Sequence, residues 1–210
     1  MLGLLPETDQ SEFEFVFDVN VYGPYRIVKA FAPLLIESEG RVVNISSMAG
    51  IMSGPGYGVY SMSKHALEAF SDALGHELGS VGVSVSAIEP GAFRSNAGAS
   101  GCKRRNQQDH DPAKSLLPEL AAQVAAACDD TTQYPEPDPV ADVVLQALVS
   151  EAPQARYLAP SHPQQAEFMM RNLLKDLADL RSGPAYHYSR EDLIALLDDA
   201  LAGSEEPAVE

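Results

Sequence analysis

The sequence has 210 residues, with 14 Lys+Arg against 30 Asp+Glu and a formal net charge of −16. That length suits one domain burying roughly 70% of its unfolded surface, and the acidic balance argues against nucleic acid and anionic membrane surfaces, which attract clustered Lys/Arg. Two cysteines, Cys102 and Cys128, are too few for a disulfide framework and form no metal-type pair. Met1–Pro6 lacks the basic region and apolar run of a signal peptide, and no stretch approaches the ~20 apolar residues of a membrane span. A soluble, cytoplasmic protein is expected, with no nucleic-acid partner and no membrane segment.

Glu7 to Ile36 reads as one long helix. Asp9 and Glu12 have capping-box spacing, apolar steps follow, and Pro24 and Pro33 should kink or shorten it. Residues 41–46 form a β-rich run, and the Gly/Ser/Pro stretch Ser47–Gly58 is a loop. Tyr60–Leu78 is a second helix, stopped by Gly79 and Gly82, and Val83–Ile88 a second strand closed by Pro90-Gly91. Residues 92–139 lose periodicity apart from a helical piece near 116–128, as a lid over a site would. A helix over 138–150, a strand over 156–159, helices over 164–180 and 190–201 and an acidic tail over 203–210 complete the chain. Alternating helix and strand predict an α/β fold with a parallel sheet, small for this length at about three strands.

Tyr60 and Lys64 share one helix face. An ammonium beside a phenol stabilises the phenolate and suits it to acid–base work. Moving a tyrosine from ~10 towards 7 needs about 4 kcal/mol, close to what a unit charge at about 4 Å supplies at an effective dielectric near 20. Desolvation opposes the shift, so a further positive charge would help. Ser47 follows the first strand, at the carboxyl end where open α/β sheets place ligands, and its hydroxyl could hold a substrate oxygen. Asn20 is an amide inside an apolar helical stretch, which normally wants a partner. A solvated Tyr–Lys pair, a loop serine, a satisfied core amide and a generic Pro-Gly turn are the rival readings. The histidines have no ligand-like spacing, Asp109-His110-Asp111 suits a solvated loop better than a metal, and no metal site is expected. Lys103-Arg104-Arg105 reads as a surface cluster, and the apolar face from Phe168 to Leu177 as core first and substrate wall second.

Together, Asp18-Val-Asn20-Val-Tyr-Gly23, Asn44-Ile-Ser-Ser47 and Tyr60-Ser-Met-Ser-Lys64 resemble the Asn–Ser–Tyr–Lys tetrad of the short-chain dehydrogenase/reductase family, with intervals of 27 and 13 residues. Pro90-Gly91 matches that family's motif after its sixth strand, and residues 60–95 are similar to the retinol and hydroxysteroid dehydrogenase branch. The resemblance covers about residues 2–160. It implies a partial Rossmann-type, doubly wound parallel sheet and hydride transfer between NAD or NADP and an alcohol/ketone pair, apolar by branch similarity. It implies Tyr60 as acid/base and Lys64 as the group that lowers its pKa and holds the nicotinamide ribose. Ser47 would bind the substrate oxygen, Asn20 a water linking Lys64 to solvent, and Pro90, Gly91, Phe93 and Ser95 would line the nicotinamide.

The family's nucleotide-binding half, a strand, a three-glycine turn and a helix, resembles nothing in this sequence. Gly54-Pro-Gly-Tyr-Gly58 precedes a helix, but its spacing and Pro55 make a poor phosphate loop. The expectation is a truncated Rossmann-like domain over 1–202, one edge of its sheet unpaired, with the three connecting helices on one face of the sheet under right-handed crossovers. A fragment, a shortened isoform, or a chain whose other half comes from a partner would each fit. The alternative to an enzyme acting on a small molecule is a catalytically silent homologue serving as a dimerisation module, and either could form a homodimer through helices 7–36 and 60–78.

Overall fold

The computed structural model describes residues 3–107, 111–126 and 134–204. Strands β1 (Arg41–Ile45), β2 (Ser84–Pro90) and β3 (Arg156–Ala159) form a parallel sheet in the order β1-β2-β3. Arg41 stands opposite Ser84 and Ile45 opposite Ile88, while Ala87 stands opposite Arg156. The chain divides into two compact units, residues 1–169 and 170–210.

The expected single N-terminal helix is three pieces: α1 (Gln10–Phe17), a π-helical segment (Asp18–Tyr22) and α2 (Gly23–Glu37). Pro24 has no N–H to give and sits in the first turn of α2, where none is needed. The break falls just ahead of it, where the Gly23 N–H reaches back five residues to the Asp18 carbonyl. Asp9 is the N-cap residue of α1, but its side chain makes no capping bond. The expected Glu12 partner is engaged elsewhere, accepting two bonds from Arg104 at 2.6 and 3.1 Å.

Helix α3 (Gly58–Gly79) joins β1 to β2, and α6 (Asp138–Val149) precedes β3. Alternation along the strands sends side chains to two cores. Val42 joins Val28 of α2 and Leu74 of α3, whereas Val43 and Ile88 join Ala147 of α6 and Tyr157 and Ala159 of β3. Helices α2 and α3 therefore cover one face and α6 the other, correcting the expectation of three helices on one face. Both crossovers step the same way across the sheet on opposite faces, so they are of opposite hand. One departs from the right-handed rule that nearly all such connections obey.

The region read as a lid with one helical piece near 116–128 contains that piece as α5 (Pro118–Ala126) and a further helix, α4 (Asn96–Gln107). The glycine-rich sequence of α4 hides the helix, and the Arg104–Glu12 pair ties it to α1. In α4, Cys102 is buried and disulfide-bonded. Helix α7 (Pro163–Leu180) departs from its expected role: Met169 is buried, but Phe168, Met170, Leu173, Leu174 and Leu177 are exposed. Within the second unit, β4 (Ser182–Gly183) and β5 (Tyr186–His187) pair antiparallel. Helix α8 (Arg190–Ser204) follows, capped reciprocally by Ser189 and Asp192. The helix includes residues 203–204 of the expected tail; residues 205–210 lie outside the described residues. No described helix is long and apolar enough to cross a membrane.

Ile88 is fully buried between α6 and β3. Replacing it with alanine is expected to lower the unfolding free energy by about 2–5 kcal/mol, read from urea denaturation, because it leaves a cavity in the centre of the sheet.

Candidate active site

The site forms where β1 ends. Residues 45 and 88 are level, and Ser46 N–H donates to the Ile88 carbonyl at 2.7 Å, so Ser47 and Pro90-Gly91 emerge side by side at the carboxyl edge of the sheet. Ser47 is extended and caps the single 3-10 turn Met48–Gly50, accepting the Ala49 N–H at 3.1 Å. The loop then returns the chain to the first turn of α3. There the Ser47 hydroxyl lies near enough to the Tyr60 phenol to favour its phenolate.

Lys64 lies one turn further along α3, nearly buried, with Nζ 5.8 Å from the Tyr60 ring centroid. Its ammonium donates to the Ile45 carbonyl at 2.8 Å. Asn20 is in the middle of the π-helical segment, and its amide donates to Ser63 Oγ at 3.0 Å. The Ser63 hydroxyl in turn donates to the Tyr60 carbonyl at 2.7 Å. The amide that looked costly in an apolar helix thus has its partner, reached through a widened turn of the kind found at functional sites. Ser63 was not foreseen; its only sequence signal is its place one turn after Tyr60.

Charge at the site is governed by burial. Desolvation pushes the Tyr60 phenol up, with the Ser47 hydroxyl pulling the other way. Lys64 is lowered to about 8, again by desolvation, with the Glu68 carboxylate countering. The expected lowering of Tyr60 by Lys64 is therefore not present in the free chain: both groups are sequestered from water, and the ammonium is bonded to the Ile45 backbone instead of the phenol.

Gly91 has its N–H bonded to the Ala159 carbonyl at 2.8 Å, and a Cβ there would come within 2.0 Å of Gln165 Oε1 and 3.0 Å of Ser161 N. Only glycine fits. Beyond it, Phe93 is half-buried and Ser95 exposed. The Gly54–Gly58 run is no phosphate cradle. A Cβ on Gly56 would strike Val124 at 2.7 Å and one on Gly58 would strike Leu5 at 2.3 Å, so these glycines admit apolar packing. No cluster of His, Cys, Asp or Glu among the described residues could hold a metal; Asp109 and His110 lie outside them.

A second polar cluster lies beneath the site. The Arg156 guanidinium stands 3.3 Å from Glu68, 3.4 Å from Glu89 and 2.6 Å from Asp72. Glu68 and Glu89 are buried, and Glu89 directly precedes Pro90.

Residues 2–108 match the family model described as short chain dehydrogenase. The chain belongs to the short-chain dehydrogenase family. It is 33% identical over 177 residues to bovine mitochondrial D-beta-hydroxybutyrate dehydrogenase, covering 78% of this chain and 50% of that one. It is 45% identical over 94 residues to mouse retinol dehydrogenase 5, covering 45% of this chain and 29% of the relative. Among solved structures it is similar to a Burkholderia phymatum short-chain dehydrogenase/reductase in complex with NAD, with a TM-score of 0.65, 25% identity and coverage of 90% of this chain and 66% of that one. The chain spans about half the length of the first of these curated relatives.

Glu89 is pushed up to about 7, first by burial and then by the Glu68 charge, with Arg156 opposing. The folded chain therefore binds more protons than the unfolded chain between about pH 4.5 and 7, and this group makes stability fall as pH rises through that window. Glu89→Gln is expected to flatten that slope and to stabilise the protein at pH 8 by at most about 3 kcal/mol, measured by denaturant unfolding across pH.

Proposed function

We propose that the chain carries the proton-transfer site of a nicotinamide-dependent oxidoreductase acting on an apolar secondary alcohol or its ketone. The observation that carries this is the placing of the Ser47 hydroxyl at the end of β1 and of Tyr60 and Lys64 one helical turn apart on α3, with the Lys64 ammonium 5.8 Å from the Tyr60 ring centroid and bonded to the Ile45 carbonyl. A nicotinamide held here would supply the acceptor for the hydride of the alcohol carbon and, oxidised, a positive charge that favours the phenolate. In the oxidation direction the Tyr60 phenolate takes the hydroxyl proton of the substrate while the Ser47 hydroxyl holds the same oxygen, leaving the ketone. Lys64 would hold the nicotinamide ribose and stabilise the phenolate. Its titration near 8 lets it release or take up a proton at working pH. Asn20 lines the same groove as Lys64 and holds the first turn of α3 in place through Ser63, which supports a role in relaying that proton outward.

The residues fit the nicotinamide end of such a cofactor: Lys64 offers an ammonium, and Gly91 permits close approach of backbone. Pro90, Phe93 and Ser95 would complete that wall. No described residues form a pyrophosphate grip, so affinity for the whole dinucleotide should be weak in this chain alone. The retinol dehydrogenase likeness over 94 residues supports the apolar substrate class. The reading includes a Rossmann-like domain over residues 1–202, a cytoplasmic location and a homodimer through α1–α2 and α3, where Tyr25 and Met62 stand exposed.

Alcohol-dependent nicotinamide reduction, followed by fluorescence at millimolar cofactor, tests the assignment. Tyr60→Phe is expected to lower turnover about 10³-fold while leaving cofactor affinity by calorimetry within twofold. Equal turnover in the variant would overturn the role given to Tyr60.

A further inference from the structure

The Glu68 carboxylate is buried and poorly satisfied. It lies one turn after Lys64 on α3, only 6% exposed, and neither of its oxygens has a hydrogen-bond partner. A buried carboxylate without donors costs stability, and such groups are few in folded proteins. Support for the helix does not account for it, because Lys followed by Glu is the weaker order for a pair four residues apart. Nor does Arg156. Its guanidinium gives its hydrogen bond to Asp72, at 2.6 Å, and approaches Glu68 at 3.3 Å.

We propose that Glu68 is a positioning residue for Lys64 and Ser47: its carboxylate is the buried counter-charge that holds the ammonium at the end of β1, and its side chain seats the turn that Ser47 caps. The seat is a matter of packing. A Cβ on Gly50 would lie 3.0 Å from Glu68 Cγ and 3.1 Å from its Oε1, so the Met48–Gly50 turn rests directly on this side chain. The counter-charge is a matter of what else faces Lys64. Tyr60 and Glu68 do so from α3, and Arg41 of β1 lines the far end of the same groove, to which α2 and the π-helical segment contribute no charged residue. Glu68 is therefore the anion that opposes the burial of the ammonium, whose pKa stands at about 8. Around Glu68 itself are Lys64 and Asp72 on α3, Glu89 on β2 and Arg156 on β3. Glu89, pushed up to about 7, is the member of this group that takes up a proton near neutrality.

The inference rests on the role proposed for Lys64. Its first test is read without turnover, so a chain that folds and shows no alcohol oxidation would count against the proposed function and leave the charge coupling standing.

The carbon-13 titration of Lys64 Cε in the full 210-residue chain is compared with that in Glu68→Gln. The midpoint should fall by about one pH unit, a tenfold change in the ratio of charged to neutral amine. The limb of the turnover profile set by Lys64 should move to lower pH by the same amount. A purely structural carboxylate would move neither. Urea denaturation at pH 8 should find the variant at least as stable as the parent, since the amide brings donors to a place where the carboxylate has none. Where Glu68→Gln does not fold, the coupling is read from the other side, because it is reciprocal: in Lys64→Met the Glu68 carboxyl should titrate about one pH unit higher. The inference is overturned by a Lys64 midpoint within about 0.2 pH of the parent in folded Glu68→Gln, or by a Glu68 titration unmoved in Lys64→Met. It is equally overturned by a turnover profile that stays in place while the Lys64 midpoint moves.

Discussion

The site rests on one buried ammonium. Lys64 reaches from α3 to the last carbonyl of β1, and that bond fixes the helix carrying Tyr60 against the strand that leads into Ser47. A cation removed from water at this point is unfavourable on its own, which is why its pKa falls to about 8. The Ile45 carbonyl and the Glu68 charge one turn away offset part of that cost. The consequence is a phenol, a hydroxyl and an amine gathered at one strand end, with the amine able to change charge at neutral to mildly alkaline pH.

Burial connects this site to the cluster below it. Glu68 faces Lys64 along α3 and Arg156 across the sheet, while Glu89 reaches the same guanidinium from the residue before Pro90. Three carboxylates around one guanidinium leave negative charge that a proton on Glu89 relieves. The backbone that turns at Pro90-Gly91 is thus anchored by a group titrating near neutrality, next to the helix whose charge state matters for chemistry.

Much of this was legible in the residues. The Tyr60–Lys64 pair, Ser47 at a strand end and the unexpected amide at Asn20 are local signals, and the structure gathers them. The strands were readable because Val and Ile concentrate at 42–45 and 83–88. Less local features were hidden. The π-helical turn depends on Asn20 finding Ser63, 43 residues away. The Arg156 cluster depends on the β2–β3 register, which brings together residues 84 positions apart. The Arg104–Glu12 pair captured the carboxylate that sequence spacing assigned to a helix cap, and the side of the sheet taken by α6 follows from Val43 and Ile88 pointing away from α3. In each case a long-range contact outweighed a local preference.

The most direct measurement is the titration of Lys64, followed by the carbon-13 shift of its Cε and assigned by its loss in Lys64→Met. The account predicts a midpoint near 8 in the free chain. A midpoint at the ordinary 10.5 would place the ammonium in water, away from the end of β1, and would contradict the arrangement on which the proposed chemistry depends.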